Sequence, residues 1–237
     1  MEQRTKPRQG RANPLSRELF AFMRELGDYN ERGWFKANKH RYEAAVQEPA
    51  LEFISGFAPH LNGISPHFVA DARPVGGSLF RIHRDTRFSK DKTPYKTYTG
   101  VQFRHQQGKD AHAPGFYLHL EPGSVFAAAG IWRPDRETLG RIRDAIAENP
   151  TTWSDAVQES CSGDRFRLEG DSLTRPPTGY DLAHPLIDEL KRKDFILVAR
   201  LSERTVVSPG FPQKLAELFE AATPVVRYLC LANEMPF

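Results

Sequence analysis

Between residues 79 and 105 the chain reads LFRIHRDTRFSKDKTPYKTYTGVQFRH, where Arg81, Arg84, Arg87, Lys90, Lys92, Lys96 and Arg104 stand against only Asp85 and Asp91. The whole protein carries a formal net charge of +3, and Arg4, Lys6, Arg8 and Arg11 near its start outweigh the single Glu2 there. The rest of the chain is therefore acidic, so positive charge is focused in one place. That pattern suits a site for a compact anion better than a surface that coats a long polyanion. If residues 79–88 run extended, alternation puts Phe80, Ile82 and Phe88 on one face and Arg81, His83, Asp85 and Arg87 on the other. Guanidinium forks suit a phosphate or carboxylate, and a neighbouring carboxylate and imidazole can move a proton or orient a water. The competing reading of the same row is an ion-pair network across a sheet face, with Asp85 neutralised by Arg81 or Arg87. Seven cations exceed two local carboxylates, which favours the site.

Other candidates are weaker. Residues 89–96 carry Lys90, Lys92 and Lys96 around Asp91 and Pro94 and lack the Gly-x-x-x-x-Gly-Lys spacing that wraps a triphosphate. They read either as a lysine lid or as a solvated turn pinned by Pro94. His105, His112 and His119 recur every seven residues, which matches neither the helical nor the strand spacing of a zinc pair, so no metal and no cofactor are expected. Cys161 and Cys230 read as reduced thiols. Gly130 and Trp132, after Ala127-Ala128-Ala129, either open a sheet edge to a ligand that stacks on indole or place a core Trp at a corner. The stiff loop Arg175-Pro176-Pro177 with Gly179-Tyr180 either brings Arg175 and Tyr180 over the site or merely connects.

These residues must be held by an α+β fold, with amino-terminal helices packed on a mostly antiparallel sheet and further helices in the carboxy-terminal half. Leu15, Leu19, Phe22, Met23 and Leu26 repeat at helical spacing from Pro14 until Gly27. Asn30 is read as the cap of a second helix carrying Trp34, Phe35, Tyr42 and Val46, which Pro49 breaks or restarts. Leu51, Ile54, Phe57 and Leu61 form a third helical stripe ending at Asn62-Gly63. Strands are expected over 79–88, 96–104, 115–121 and 124–130, the last two joined by a Pro122-Gly123 type II turn. Helices are expected from Pro134 to Asn149, over 185–193, 211–222 and 224–232, with a loop and short hairpin over 163–181 and a buried strand over 195–201. Residues 1–13 read as a disordered basic tail and 14–237 as a single domain. The start offers charge and proline with no apolar segment behind it, and the longest apolar runs fall short of the roughly 18–20 residues that cross a bilayer. A soluble cytoplasmic protein with no membrane partner is the expectation.

RIHRDTRFSKDKTPYK at 81–96, NERGWFKANK at 30–39, Gly130 to Trp132, and LTRPPTGYDLAHP at 173–185 together resemble domain-of-unknown-function family 2461. The resemblance covers nearly all of the chain after the tail. It implies a soluble, mostly bacterial and fungal protein of unassigned role, and it supplies no catalytic residues. Two positions depart from the family pattern: Gly33 stands where Glu is usual, and His83 where Tyr is frequent. A position that accepts Tyr does not require an imidazole base, so the candidate set becomes Arg81, Arg84, Arg87, Lys92, Tyr95 and Lys96 as anion ligands, with Asp85 as the orienting or proton-accepting group. Three readings stay open: an anionic small-molecule site, with or without a reaction; a nucleic-acid-binding module using the same patch and tail, with Tyr95 and Tyr98 stacking bases; and a scaffold in which the motif is an ion-pair network.

Overall fold

The computed structural model describes residues 13–108 and 112–237. Residues 1–12 of the expected tail lie outside the described residues; Asn13, its last residue, is anchored, its amide donating to the carbonyls of Val206 and Ser208 at 2.7 Å each.

The chain opens with α1 (Arg17–Asp28), which buries Leu19, Phe20, Phe22, Met23 and Leu26. Next comes α2 (Arg32–Tyr42), which is capped at Glu31 and not at Asn30. Pro49 restarts the helix, as one of its two readings has it: it sits in the first turn of α3 (Glu48–Ile64), which one π-helical turn (Glu43–Gln47) joins to α2. Strand β1 (Thr99–Arg104) starts an antiparallel meander with β2 (Gly115–Glu121) and β3 (Ser124–Ile131). Gly123 takes φ +77° at the Pro122-Gly123 turn, as a type II turn requires. Helix α4 (Arg136–Glu148) begins at Asp135, whose carboxylate accepts from Thr138 N–H at 2.8 Å. Helix α5 (Pro150–Cys161) restarts at once, so Asn149-Pro150 is a beginning as well as a stop. The remaining elements are β4 (Arg167–Glu169), α6 (Ile187–Leu190), β5 (Phe195–Leu201), α7 (Glu203–Val206), α8 (Phe211–Ala221) and α9 (Thr223–Ala232).

The five strands form one antiparallel sheet in the order β1-β2-β3-β5-β4, an α+β architecture. Its inner face, from Val101, Phe103, Phe116, Leu118, Ala127 and Leu197, is buried under helices. Phe57 of α3 stacks on Phe103 at 5.1 Å, and Phe219 of α8 meets Phe116 at 4.8 Å. Gly130, at φ +128°, lets β3 and β5 approach: a Cβ there would lie 2.0 Å from the Phe195 carbonyl oxygen. Among the described residues no helix is long and apolar enough to cross a membrane.

Residues 79–88 correct the strand expectation. Only the isolated bridges Leu79↔Val101 and His83↔Tyr95 pair this segment with the returning chain, whose regular strand starts at Thr99 instead of 96. Phe80 N–H donates to Gly100 O at 2.9 Å and Lys96 N–H to Ile82 O at 2.8 Å, but the ladder ends where Arg84 N–H meets Pro94 O. Pro94 has no N–H to return, and the Asp85 and Asp91 side chains accept the backbone N–H groups of Arg87 and Thr93, so local turns replace strand pairing. Ile82 is buried as expected, whereas Phe88 points outward at 95% exposure.

Candidate functional site

Both carboxylates of the motif are spent within its own loop, on Arg87 and Arg84. The Asp85 carboxylate accepts from Arg87 Nη2 at 2.7 Å and Nε at 3.0 Å. This pairing with Arg87 holds its pKa down at about 2, which leaves Asp85 a weak base near neutrality. Arg84 binds both Asp91 and Thr93, and Asp91 is likewise held at about 2 by Arg84. Lys92 donates to Thr86 O at 2.8 Å. Tyr95 turns inward, buried and stacked on Phe35 at 4.1 Å. Its backbone is gripped on both sides by Asn30, which donates to Tyr95 O at 2.9 Å and accepts from Tyr95 N–H at 3.0 Å. Asn30, expected as a helix cap, instead clamps the motif to the helical layer. Arg81 is exposed and makes no ion pair among the described residues.

The clamp sets the next residue, Lys96, against the aromatic rings. Its Nζ lies 5.2 Å from the Phe80 centroid and 5.6 Å from that of Tyr98. The ammonium is half-buried, with no carboxylate in ion-pair range among the described residues. Burial, reinforced by the charge of Arg81, pushes its pKa down. Lys96 lines a cavity of about 640 Å³ together with Arg84, Asp91, Tyr98, His119 and Glu121.

The outer face of the sheet carries a second space. By register, Gly100 faces His119, Gln102 faces Tyr117, and Ala128 lies between Tyr117 and Val198. Small residues at the centre (Gly115, Ala128, Gly130) and aromatic ones around them (Phe80, Tyr98, Phe126, Trp132) enclose a trough of about 420 Å³. Tyr98 and His119 line both spaces. Trp132 ends the trough half-exposed, stacked on His112 at 5.5 Å with the Arg133 guanidinium 4.8 Å from its ring centre. Of its two readings, the one that makes it a core residue at a corner is ruled out by this exposure.

Along β2 the outward side chains make a connected chain. Tyr117 Oη lies 2.9 Å from His119 Nδ1, His119 Nε2 lies 3.3 Å from Glu121 Oε2, and Glu121 Oε1 accepts from Thr97 Oγ1 at 3.1 Å. Burial pushes the His119 pKa down, opposed by its bond to Glu121, and burial pushes the Tyr117 phenol up. Neutral imidazole and neutral phenol are therefore the forms at pH 7. Reading the histidines as a seven-residue series missed this chain; the available signal was the strand alternation itself, Tyr117, His119 and Glu121 against Phe116, Leu118 and Leu120. The other two histidines go elsewhere: His105 is buried against Pro236, and His112 sits beside Trp132. Among the described residues no group of three His, Cys, Asp or Glu side chains could hold a metal. Tyr180 donates to Asp144 of α4 at 2.8 Å, and neither it nor Arg175 lines the two spaces.

Residues 18–228 match the family model described as conserved hypothetical protein (DUF2461), and the chain belongs to that family. No curated protein matches it.

Proposed function

We propose that the protein binds a small organic anion, a phosphate or carboxylate on a flat apolar body, with Lys96 holding the acidic group and the trough of the outer sheet face taking the body. The observation that carries this reading is Lys96 itself, half-buried between Phe80 and Tyr98 without a carboxylate partner among the described residues. Desolvating an ammonium without a counter-charge is unfavourable, and an anionic ligand supplies the missing charge. Exposed Arg81 adds a second positive charge nearby, close enough to depress Lys96. The spaces of about 420 and 640 Å³ fall within the ~300–1,000 Å³ typical of small-molecule sites. Asp85, Arg84, Arg87 and Lys92 act in this reading as the frame of the loop, and Tyr95 as its anchor. The motif is thus scaffold and site together.

Calorimetric titration with phenyl phosphate, benzoate, inorganic phosphate and benzyl alcohol tests it. Phenyl phosphate and benzoate bind, and the ion alone and the neutral ring bind much more weakly. Lys96→Met keeps the stem and removes the charge, and lowers affinity for phenyl phosphate at least about tenfold, equivalent to about 1.4 kcal/mol. A folded Lys96→Met protein that binds phenyl phosphate as wild type does, or a wild-type protein that binds none of the four, defeats the proposal.

A further inference from the structure

We infer that Tyr117, His119 and Glu121 make the trough a site of proton abstraction, in which the Tyr117 phenol oxygen takes a proton from a carbon acid bound beside Lys96 while its own proton passes to His119. This rests on the anion-binding reading and adds an activity to it.

Hydrogen-bond logic fixes the direction of the chain. A carboxylate only accepts, so the 3.3 Å contact with Glu121 places the His119 proton on Nε2 and leaves Nδ1 as an acceptor. That acceptor takes the Tyr117 O–H at 2.9 Å. The phenol proton is committed to the imidazole, which leaves the remaining lone pair of Oη to accept from a ligand in the trough that Tyr117 lines. The imidazole itself is shielded: its ring lies 4.5 Å from Tyr98 and 4.6 Å from Phe126, with 9% exposure. Both residues line the trough, but Tyr117, half-buried where the imidazole is sandwiched between rings, is the group that presents the base to it.

The step balances within the site. A C–H bond next to a ligand carbonyl breaks as a new O–H bond forms on Tyr117, and the original phenol proton forms an N–H bond on His119 Nδ1. Tyrosine ends as it began, the electron pair of the C–H bond becomes an enolate, and the imidazolium stands against the Glu121 carboxylate. Lys96, in the adjoining space that shares Tyr98 and His119 with the trough, holds the acidic group of the ligand. The substrate class is a carbonyl-activated carbon acid with an acidic group and a flat apolar body. Tyr117 is the catalytic residue; His119 and Glu121 act through it.

The groups around His119 set its basicity. Glu121 on its own strand holds its pKa up, Arg200 of β5 pushes it down from over the Phe126 ring, and Tyr98 packs against it from the segment before β1. Arg84, Asp85, Asp91 and Lys96 line the space it shares.

Phenylpyruvate, which joins a phenyl ring, an acidic CH2 and a carboxylate, is the probe. Exchange of its benzylic protons in D2O, followed by proton NMR beside a calorimetric titration, reads the activity. The wild-type protein accelerates exchange over buffer about 100-fold or more. Tyr117→Phe and His119→Gln still bind the probe but lose the acceleration. Glu121→Gln retains part of it and moves the acid limb of the pH–rate profile to lower pH, because the carboxylate that keeps the imidazole basic is gone; a purely structural Glu121 would leave that limb in place. Bound probe with exchange no faster than in buffer, or a Tyr117→Phe protein that exchanges at the wild-type rate, overturns the inference and leaves the binding reading standing. Failure of phenylpyruvate, phenyl phosphate and benzoate alike to bind defeats the anion reading and this inference with it.

Discussion

Replacing Gly100 by Ala places a methyl group under the Tyr117 phenol. The added Cβ would lie 2.7 Å from Tyr117 Oη, 3.1 Å from Tyr117 Cε2 and 3.1 Å from Phe80 Cδ2. The ring end must swing away, and that movement stretches the 2.9 Å bond to His119. Crowding costs about 1–3 kcal/mol and the lost hydrogen bond about 0.5–1.5 kcal/mol; removing a strand glycine returns about 0.5–1 kcal/mol. The net is a destabilisation of about 0.5–4 kcal/mol, a fall in Tm of roughly 1–16 °C. Urea denaturation at constant slope measures it, and a double-mutant cycle with Tyr117→Phe locates it. Without the hydroxyl, the remaining 3.1 Å contacts yield by a few tenths of an ångström. Gly100→Ala combined with Tyr117→Phe therefore falls short of the sum of the single costs by about 1 kcal/mol. Costs that add to within about 0.5 kcal/mol would show that the phenol does not lie over Gly100, and would refute the reasoning.

Three further outcomes follow from other contacts. Asn30→Ala strips both backbone partners from Tyr95 and costs about 1–3 kcal/mol in thermal or urea unfolding; an unchanged midpoint would mean that the motif is held some other way. His105 accepts from Gln107 N–H on Nδ1 and donates Nε2–H to the Pro236 carbonyl, and burial depresses its pKa. The unfolded chain therefore takes up this proton first. The stability that the neutral ring contributes is complete above pH 6.5 and is lost as pH falls through the depressed folded value, so Tm declines on acidification and His105→Asn flattens that slope. Phe88, 95% exposed, tolerates Ser with a change within about 0.5 kcal/mol; a large loss would place it against something in the folded protein.

What the sequence displayed and what it concealed divide along the range of the interactions. Helices α1 and α3 were readable because Leu19, Phe22, Met23 and Leu26, and then Ile54, Phe57 and Leu61, repeat within single turns of chain. Strands β2 and β3 were readable from alternation and from Pro122-Gly123. Helix α5 escaped because Asn149-Pro150 ends one helix with the same residues that start the next. In the motif, alternating apolar and charged residues fit a strand, but the Asp85 and Asp91 turns and the missing N–H of Pro94 captured the backbone instead. The density of Arg and Lys drew attention to the right segment, yet Arg84 and Arg87 are neutralised within it. That Lys96 comes to lie against Phe80 and Tyr98 depends on the grip of Asn30 on Tyr95, a contact between residues far apart in sequence that no local pattern announces.

The same holds for Tyr117, His119 and Glu121, whose alternation is plain but whose meaning depends on which face of the sheet the helices leave uncovered. Helices α3 and α8 both meet the inner face, through Phe57 on Phe103 and Phe219 on Phe116. The outer face is poorly suited to a further helix. Gly115, Ala128 and Gly130 offer little side-chain surface to pack against, while Phe80, Tyr98, Tyr117, Phe126 and Trp132 stand around them as walls. A helix docks by close-packing its side chains against an even layer, and this face mixes bare glycines with tall aromatic rings. A sheet built this way encloses a hollow the size of a small molecule, and the alternation that buries Phe116, Leu118 and Leu120 turns the hydrogen-bonded Tyr117 and His119 toward it.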